Sequence, residues 1–137
     1  MSDTTAASSE PVFIEPGGGR KFPNPLPHLS MDFPGLLKLS GRRTSGVFMV
    51  FELSEPPGEG PPPHIHDDFT ESFFILEGAF EFTVGDRIVM ADQGAFLFVP
   101  RGVAHGYRNV GTTIARYVGI IAPPPTDLAA QTRLADA

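Results

Sequence analysis

Between Leu36 and Ile121 the chain is cut repeatedly by glycine and proline into apolar runs too short for helices. Leu36 to Leu39 and Val47 to Leu53 flank a GRRTSG turn. Phe73 to Leu76, Ala79 to Val84, Arg87 to Met90, Ala95 to Val99, Gly106 to Val110 and Thr112 to Ile121 follow in turn. In Ala79 to Val84, Phe80, Phe82 and Val84 alternate with Ala79, Glu81 and Thr83, the period of a strand with one buried face. Phe73 to Leu76 is apolar on both sides, as in a strand packed on each face. No stretch carries a long helical period. These runs predict an all-β domain, an antiparallel barrel or sandwich of the jelly-roll kind.

Two of the segments carry chemistry. In GEGPPPHIHDDFTESFFILEG, His64 and His66 are two positions apart, so on an extended strand both imidazoles leave the same face. Glu71 follows, and GAFLFVPRGVAHGYRN adds His105. Three imidazoles and one carboxylate suit one borderline divalent metal per chain, among Mn, Fe, Co, Ni and Zn. A six-coordinate ion held this way keeps two positions open for water, dioxygen or substrate. Three of the chain's four histidines fall at ligand spacing, which scatter would rarely produce. Because the imidazoles must be neutral and the carboxylate ionised, affinity should fall as pH drops below about 6.

The same segments resemble the two motifs of the cupins. Gly58, His64, His66, Glu71 and Gly78 fill the first motif, and Gly94, Pro100, Gly102, His105 and Asn109 fill the second. A lone HxH would be a weak signal, whereas two complete motifs in order make a strong one. The resemblance implies a cupin jelly-roll β-barrel over residues 35–122, pairing as a homodimer through its sheets. It also implies a functional range: quercetinase-type dioxygenases, oxalate-acting enzymes, sugar isomerases and polyketide cyclases. We expect a metal-dependent oxygenase acting on a small enolic or phenolic substrate with dioxygen. Glu71 would serve as base as well as ligand, the role proposed for its equivalent in quercetinase-like cupins. The alternatives are a non-oxidative cyclase, isomerase or lyase using the metal as Lewis acid, and a cupin that binds a small molecule without turnover.

Composition narrows the remaining classes. At 137 residues the chain is long enough for one domain with a sizeable core, and twelve Phe with no Trp suggest a phenylalanine-rich interior. A net charge of −6 without a basic block argues against nucleic acid or an anionic membrane as partner. There is no cysteine, which excludes disulfides and thiolate ligands. The amino terminus has neither the basic start nor the apolar run of a secretory signal, so the expected location is the cytoplasm.

The other residues of interest read more modestly. Tyr107, two positions after His105, should share its inward face, either as packing or as a catalytic group bonding to substrate or oxygen. Asp67 and Asp68 read as a solvated acidic loop. Phe73, Ile75, Phe80, Phe82, Phe96 and Phe98 are candidates for core or pocket lining. Asn109 should tie a turn, and Gly78, Gly85, Gly94 and Gly102 should supply turn conformations. Residues 1–34 form an arm whose very end is expected to be disordered, with a β-type run at Val12 to Ile14. Its Gly17 to Gly19 triplet lacks the context of a phosphate loop, and its Gly/Pro-dense part is not expected to be regular. His28 reads as a surface loop residue. The tail, 123–137, leaves through three prolines, with one short helix expected over 126–135.

Overall fold

A computed structural model of the chain describes residues 9–22 and 35–135; His28 and the extreme amino-terminal end lie outside them. The architecture is two antiparallel sheets. The first holds, in spatial order, β1 (Arg20–Phe22), β2 (Gly35–Leu39), β3 (Met49–Glu55), β10 (Ala115–Ala122), β5 (Thr70–Glu77) and β8 (Phe96–Val99). The second holds β11 (Arg133–Leu134), β4 (His64–Ile65), β9 (His105–Asn109), β6 (Ala79–Val84) and β7 (Arg87–Asp92). The jelly-roll expectation holds, although no strand ladder among the described residues closes the two sheets into a barrel. Nor is any helix there long and apolar enough to cross a membrane.

The core is a set of aromatic contacts between the sheets. The alternation along β6 buries Phe80 and Phe82, and Glu71, Phe73 and Ile75 share the buried face of β5. Phe73 meets Phe82 with ring centroids 5.0 Å apart, and Tyr117 of β10 meets Phe80 at 5.7 Å. Edge-on pairs at such separations add stability beyond the area they bury.

Four readings are corrected. Phe96 and Phe98 are not core, being 62% and 50% exposed. The β5–β8 register sets Phe96 beside Phe74 and Phe98 beside Ser72, and so turns both outward. The Gly/Pro-dense segment is partly regular after all. Arg20–Phe22 pairs with β2, and Gly35 leaves room for the Phe22 ring, which a Cβ there would meet at 2.0 Å. Val12 to Ile14 joins no sheet edge within the chain among the described residues. The tail makes no short helix. A single turn, with Gln131 N donating to Asp127 O at 2.9 Å, gives way to β11. Helix propensity in so short a segment yields to pairing with β4. Gly78, Gly85, Gly94 and Gly102 adopt positive φ as expected.

Candidate metal centre

The centre is assembled where the proline-rich loop runs against β9. Tyr107 N donates to Pro61 O at 3.2 Å, and Asn109 N donates to Glu59 O at 2.9 Å. So close an approach needs bare backbone on both sides. A Cβ on Gly60 would fall 2.0 Å from Tyr107 O, and one on Gly106 would fall 2.7 Å from Pro63 N. The loop thereby delivers His64 to β4, directly opposite His105 of β9. Glu71 comes from the other sheet, at the start of β5.

One ligand atom from each of His64, His66, Glu71 and His105 lies within 4.8 Å of the others, and all four residues are buried. Glu71 Oε1 is 3.2 Å from His105 Nε2 and 3.4 Å from His66 Nε2. Ligand atoms bonded at about 2.1 Å to one ion stand roughly 3.0–3.4 Å apart, so these spacings suit a shared ion.

Hydrogen bonding at the far side of each ring fixes its tautomer. His64 Nδ1 faces Pro62 O at 2.9 Å, and His105 Nδ1 faces Val103 O at 3.1 Å. A carbonyl only accepts, so both nitrogens donate. His66 Nδ1 lies 3.0 Å from Thr132 Oγ1, whose one proton goes to Leu128 O at 2.7 Å. Toward His66 that hydroxyl can therefore only accept. All three rings carry their proton on Nδ1 and present Nε2 lone pairs at an ionised carboxylate. Only a cation between them relieves that arrangement, so the donor set fits a divalent metal.

Without metal, a proton plays that part. Burial works against a charged His105, but the Glu71 carboxylate outweighs it and raises the imidazole's pKa. Burial likewise pushes the Glu71 carboxyl upward, yet hydrogen bonds from His105 and His66 hold it well below the carboxylate range. His64 is driven to about 4 by burial and by its neighbour His105, so it is neutral at pH 7. Metal binding must then displace the protons through which His105 and His66 bond to Glu71.

The cluster opens on a cavity of about 280 Å³ lined by His64, His66, Glu71 and an apolar wall that includes Phe51, Phe73 and Ile121. A model of the cupin domain matches residues 51–121, which contain all four donors. The chain belongs to the cupins. Over 82 residues this cupin is 30% identical to quercetin 2,3-dioxygenase of Bacillus subtilis, covering 60% of this chain and 24% of that protein. It is 36% identical over 85 residues to Protein SchB of Streptomyces halstedii, covering 60% of each. The chain thus spans less than two thirds of the length of either relative. Among solved structures, a predicted oxalate decarboxylase from Thermotoga maritima superposes with a TM-score of 0.68 at 20% identity, over 78% of this chain and 93% of that one. The polyketide cyclase RemF from Streptomyces resistomycificus gives 0.63 at 21% identity, over 77% and 72%. At those identities the likeness is one of fold.

Around the four donors, other residues of this cupin behave unevenly. Tyr107 is buried and lines the cavity, but its hydroxyl donates to Glu55 Oε2 at 3.1 Å and lies 2.7 Å from Tyr117 Oη. Burial, with Tyr117 and Glu55 nearby, raises its pKa well above the usual phenol value, so it stays protonated. Asn109 ties its turn, donating to Glu55 O at 2.9 Å and Thr113 O at 2.8 Å. Asp67 is exposed and paired with Arg133 at 2.7 Å, and Asp68 accepts from Gln131 Nε2 at 3.2 Å. Sequence reasoning missed Thr132, Glu55 and Tyr117. For Thr132 no local signal existed, because its contact depends on the tail returning beside β4.

Proposed function

We propose that this cupin is a metal-dependent enzyme of the oxygenase type, acting with dioxygen on a small, flat, largely apolar substrate with an enolic or phenolic oxygen. The observation that carries the reading is the juxtaposition of an electron-rich His/Glu cluster with a cavity whose other walls are mainly apolar. His64, His66, Glu71 and His105 would hold one divalent transition ion, which when bound supplies Lewis acidity and open positions for substrate and dioxygen. The apolar wall would bind the ring and exclude water from the reacting oxygen. Glu71, ionised and buried, is the base positioned to take the substrate's hydroxyl proton at a carboxylate oxygen. Tyr107, held protonated, would orient the substrate from the cavity wall through its hydrogen-bonded partners. The similarity to a quercetin dioxygenase over the motif region supports an oxidative reading.

A non-oxidative cyclisation or isomerisation would use the same carboxylate and the same wall, and the fold shared with a polyketide cyclase supports keeping that reading second. We further propose that the chain pairs with a second copy through the exposed Phe74, Phe96, Phe98 and Ile120 on the outer face of β5, β8 and β10. The deciding experiment is metal analysis of the protein and of His105→Ala, followed by oxygen uptake with phenolic and enolic compounds. One redox-active metal per chain, lost in the variant, together with substrate-dependent oxygen uptake, supports the oxygenase. Turnover that continues without oxygen overturns it in favour of Lewis-acid chemistry. Failure to hold metal after reconstitution overturns the metalloenzyme and leaves a binding module.

A further inference from the structure

Beside the donor cluster, the cavity wall contains a buried polar chain. Glu55, Tyr107 and Tyr117 are 2%, 6% and 1% exposed, and both tyrosines line the cavity. Each hydroxyl has a single proton to give. That of Tyr107 goes to the Glu55 carboxyl at 3.1 Å, a bond strengthened by charge when the acceptor is ionised. The 2.7 Å bond between the phenols therefore runs from Tyr117 to Tyr107. Tyr117 is left presenting an oxygen lone pair, with its proton already committed.

The surroundings hold that polarity in place. Asn109 donates to Glu55 O and fixes the end of β3 from which the carboxylate projects. The Tyr117 ring is packed by Phe73 at 5.1 Å, Phe80 at 5.7 Å and Phe51 at 6.3 Å between centroids. A buried acceptor in apolar surroundings disfavours any ligand that covers it without donating a hydrogen bond.

Building on the phenolic or enolic reading above, we infer that Tyr117 is a substrate-binding residue that accepts a hydrogen bond from a second hydroxyl of the substrate. Tyr107 and Glu55 are positioning residues that set its polarity. The substrate class narrows accordingly from any phenol to a ring bearing two hydroxyls, one for the metal and Glu71 and one for Tyr117.

The test uses anaerobic calorimetry on zinc-loaded protein with 1,3-dihydroxynaphthalene and 1-naphthol, whose comparison avoids adjacent hydroxyls that could chelate the ion. The wild type should prefer the diol by about tenfold, the worth of one buried hydrogen bond. Tyr117→Phe should bind the two compounds within about twofold of each other while keeping its affinity for 1-naphthol. Tyr107→Phe frees the Tyr117 proton to turn toward the ligand. It should bind 3-methoxy-1-naphthol, whose second oxygen only accepts and which the wild type disfavours, as tightly as the diol. This loss of discrimination carries the test alone if Tyr117→Phe does not fold. Equal binding of both compounds to the wild type, or a preference unchanged in the variants, overturns the Tyr117 assignment and leaves the phenolic reading standing. If neither compound binds protein holding one zinc per chain, both are overturned.

Discussion

The three imidazoles of the centre are oriented in two different ways. His64 and His105 are held by carbonyls two residues upstream, Pro62 O and Val103 O, so each motif positions its own ligand. His66 is held by Thr132, 66 residues further along, on a tail that crosses back to pair with β4. The first arrangement is local and survives any rearrangement that leaves the loop intact. The second exists only when β11 is docked on β4. One site thus combines two self-supporting ligands with one whose alignment reports on the tail.

The comparison breaks most completely at a ligand. His105→Ala removes the nitrogen that faces Glu71 at 3.2 Å, and bound metal should fall from one per chain to under about a tenth on elemental analysis. Retention of stoichiometric metal would remove His105 from the ligand set.

Acid should act next, and on His64 of the locally held pair. His64 has a pKa of about 4 against an ordinary 6.5. Between those values the unfolded chain binds the extra proton, so stability rises with pH and is lost as pH falls through the window. His105, raised, is protonated in both states below 6.5 and adds no slope there. Its stabilisation is lost instead as pH rises through its folded value. Glu71, depressed, contributes above its ordinary 4.5 and loses that only as pH falls below it. Of these three groups only His64 adds slope between 6.5 and 4.5, and its shift should cost metal-free protein up to about 3 kcal/mol over its full range. Urea unfolding at pH 7 and pH 4.5 should show that slope, and His64→Gln should flatten it. An unchanged slope in the variant would assign the titration elsewhere.

This contrast also marks what could be read from the chain alone. Ligand spacing is a property of neighbouring residues. His64 and His66 on one strand face, Glu71 at the start of β5 and His105 after a Pro-x-Gly turn were all legible for that reason. The strand pattern was legible through alternation, as in Phe80 and Phe82. Register was not. Phe96 and Phe98 alternate with Leu97 just as core residues would, and only the pairing with Phe74 and Ser72 turns them outward. The tail was misread for a related reason, since Leu128 to Gln131 favours a helix locally while Thr132 bonds to His66 and β11 pairs with β4. Glu55 sat at the edge of a proline-rich loop, with nothing nearby to announce Tyr107 as its partner 52 positions away.

The tail-held ligand gives the third and sharpest test. Thr132→Val keeps the shape but removes the acceptor for His66 Nδ1, freeing that ring to rotate or change tautomer. Metal affinity should fall about 10- to 100-fold, the usual cost of losing a group that orients a ligand. Thr132→Ser should restore most of it. A Val variant with unchanged affinity would mean that Gln131 O, 3.4 Å from the same nitrogen, orients the ring instead.

The smallest effect separates the tail's polar latch from its role as an orienting strand. Arg133 makes two hydrogen bonds to Asp67, at 2.7 and 3.2 Å, but both side chains are more than half exposed. Water and salt screen such a pair, and holding two mobile side chains together offsets part of its attraction. The backbone bonds of β11 to β4 and of Ala135 N to Pro63 O hold the same segment without it. Asp67→Asn should therefore change metal affinity by less than about threefold, and raising salt should erase even that difference. A loss as large as that in Thr132→Val would show instead that the charge pair, rather than the strand, keeps Thr132 against His66.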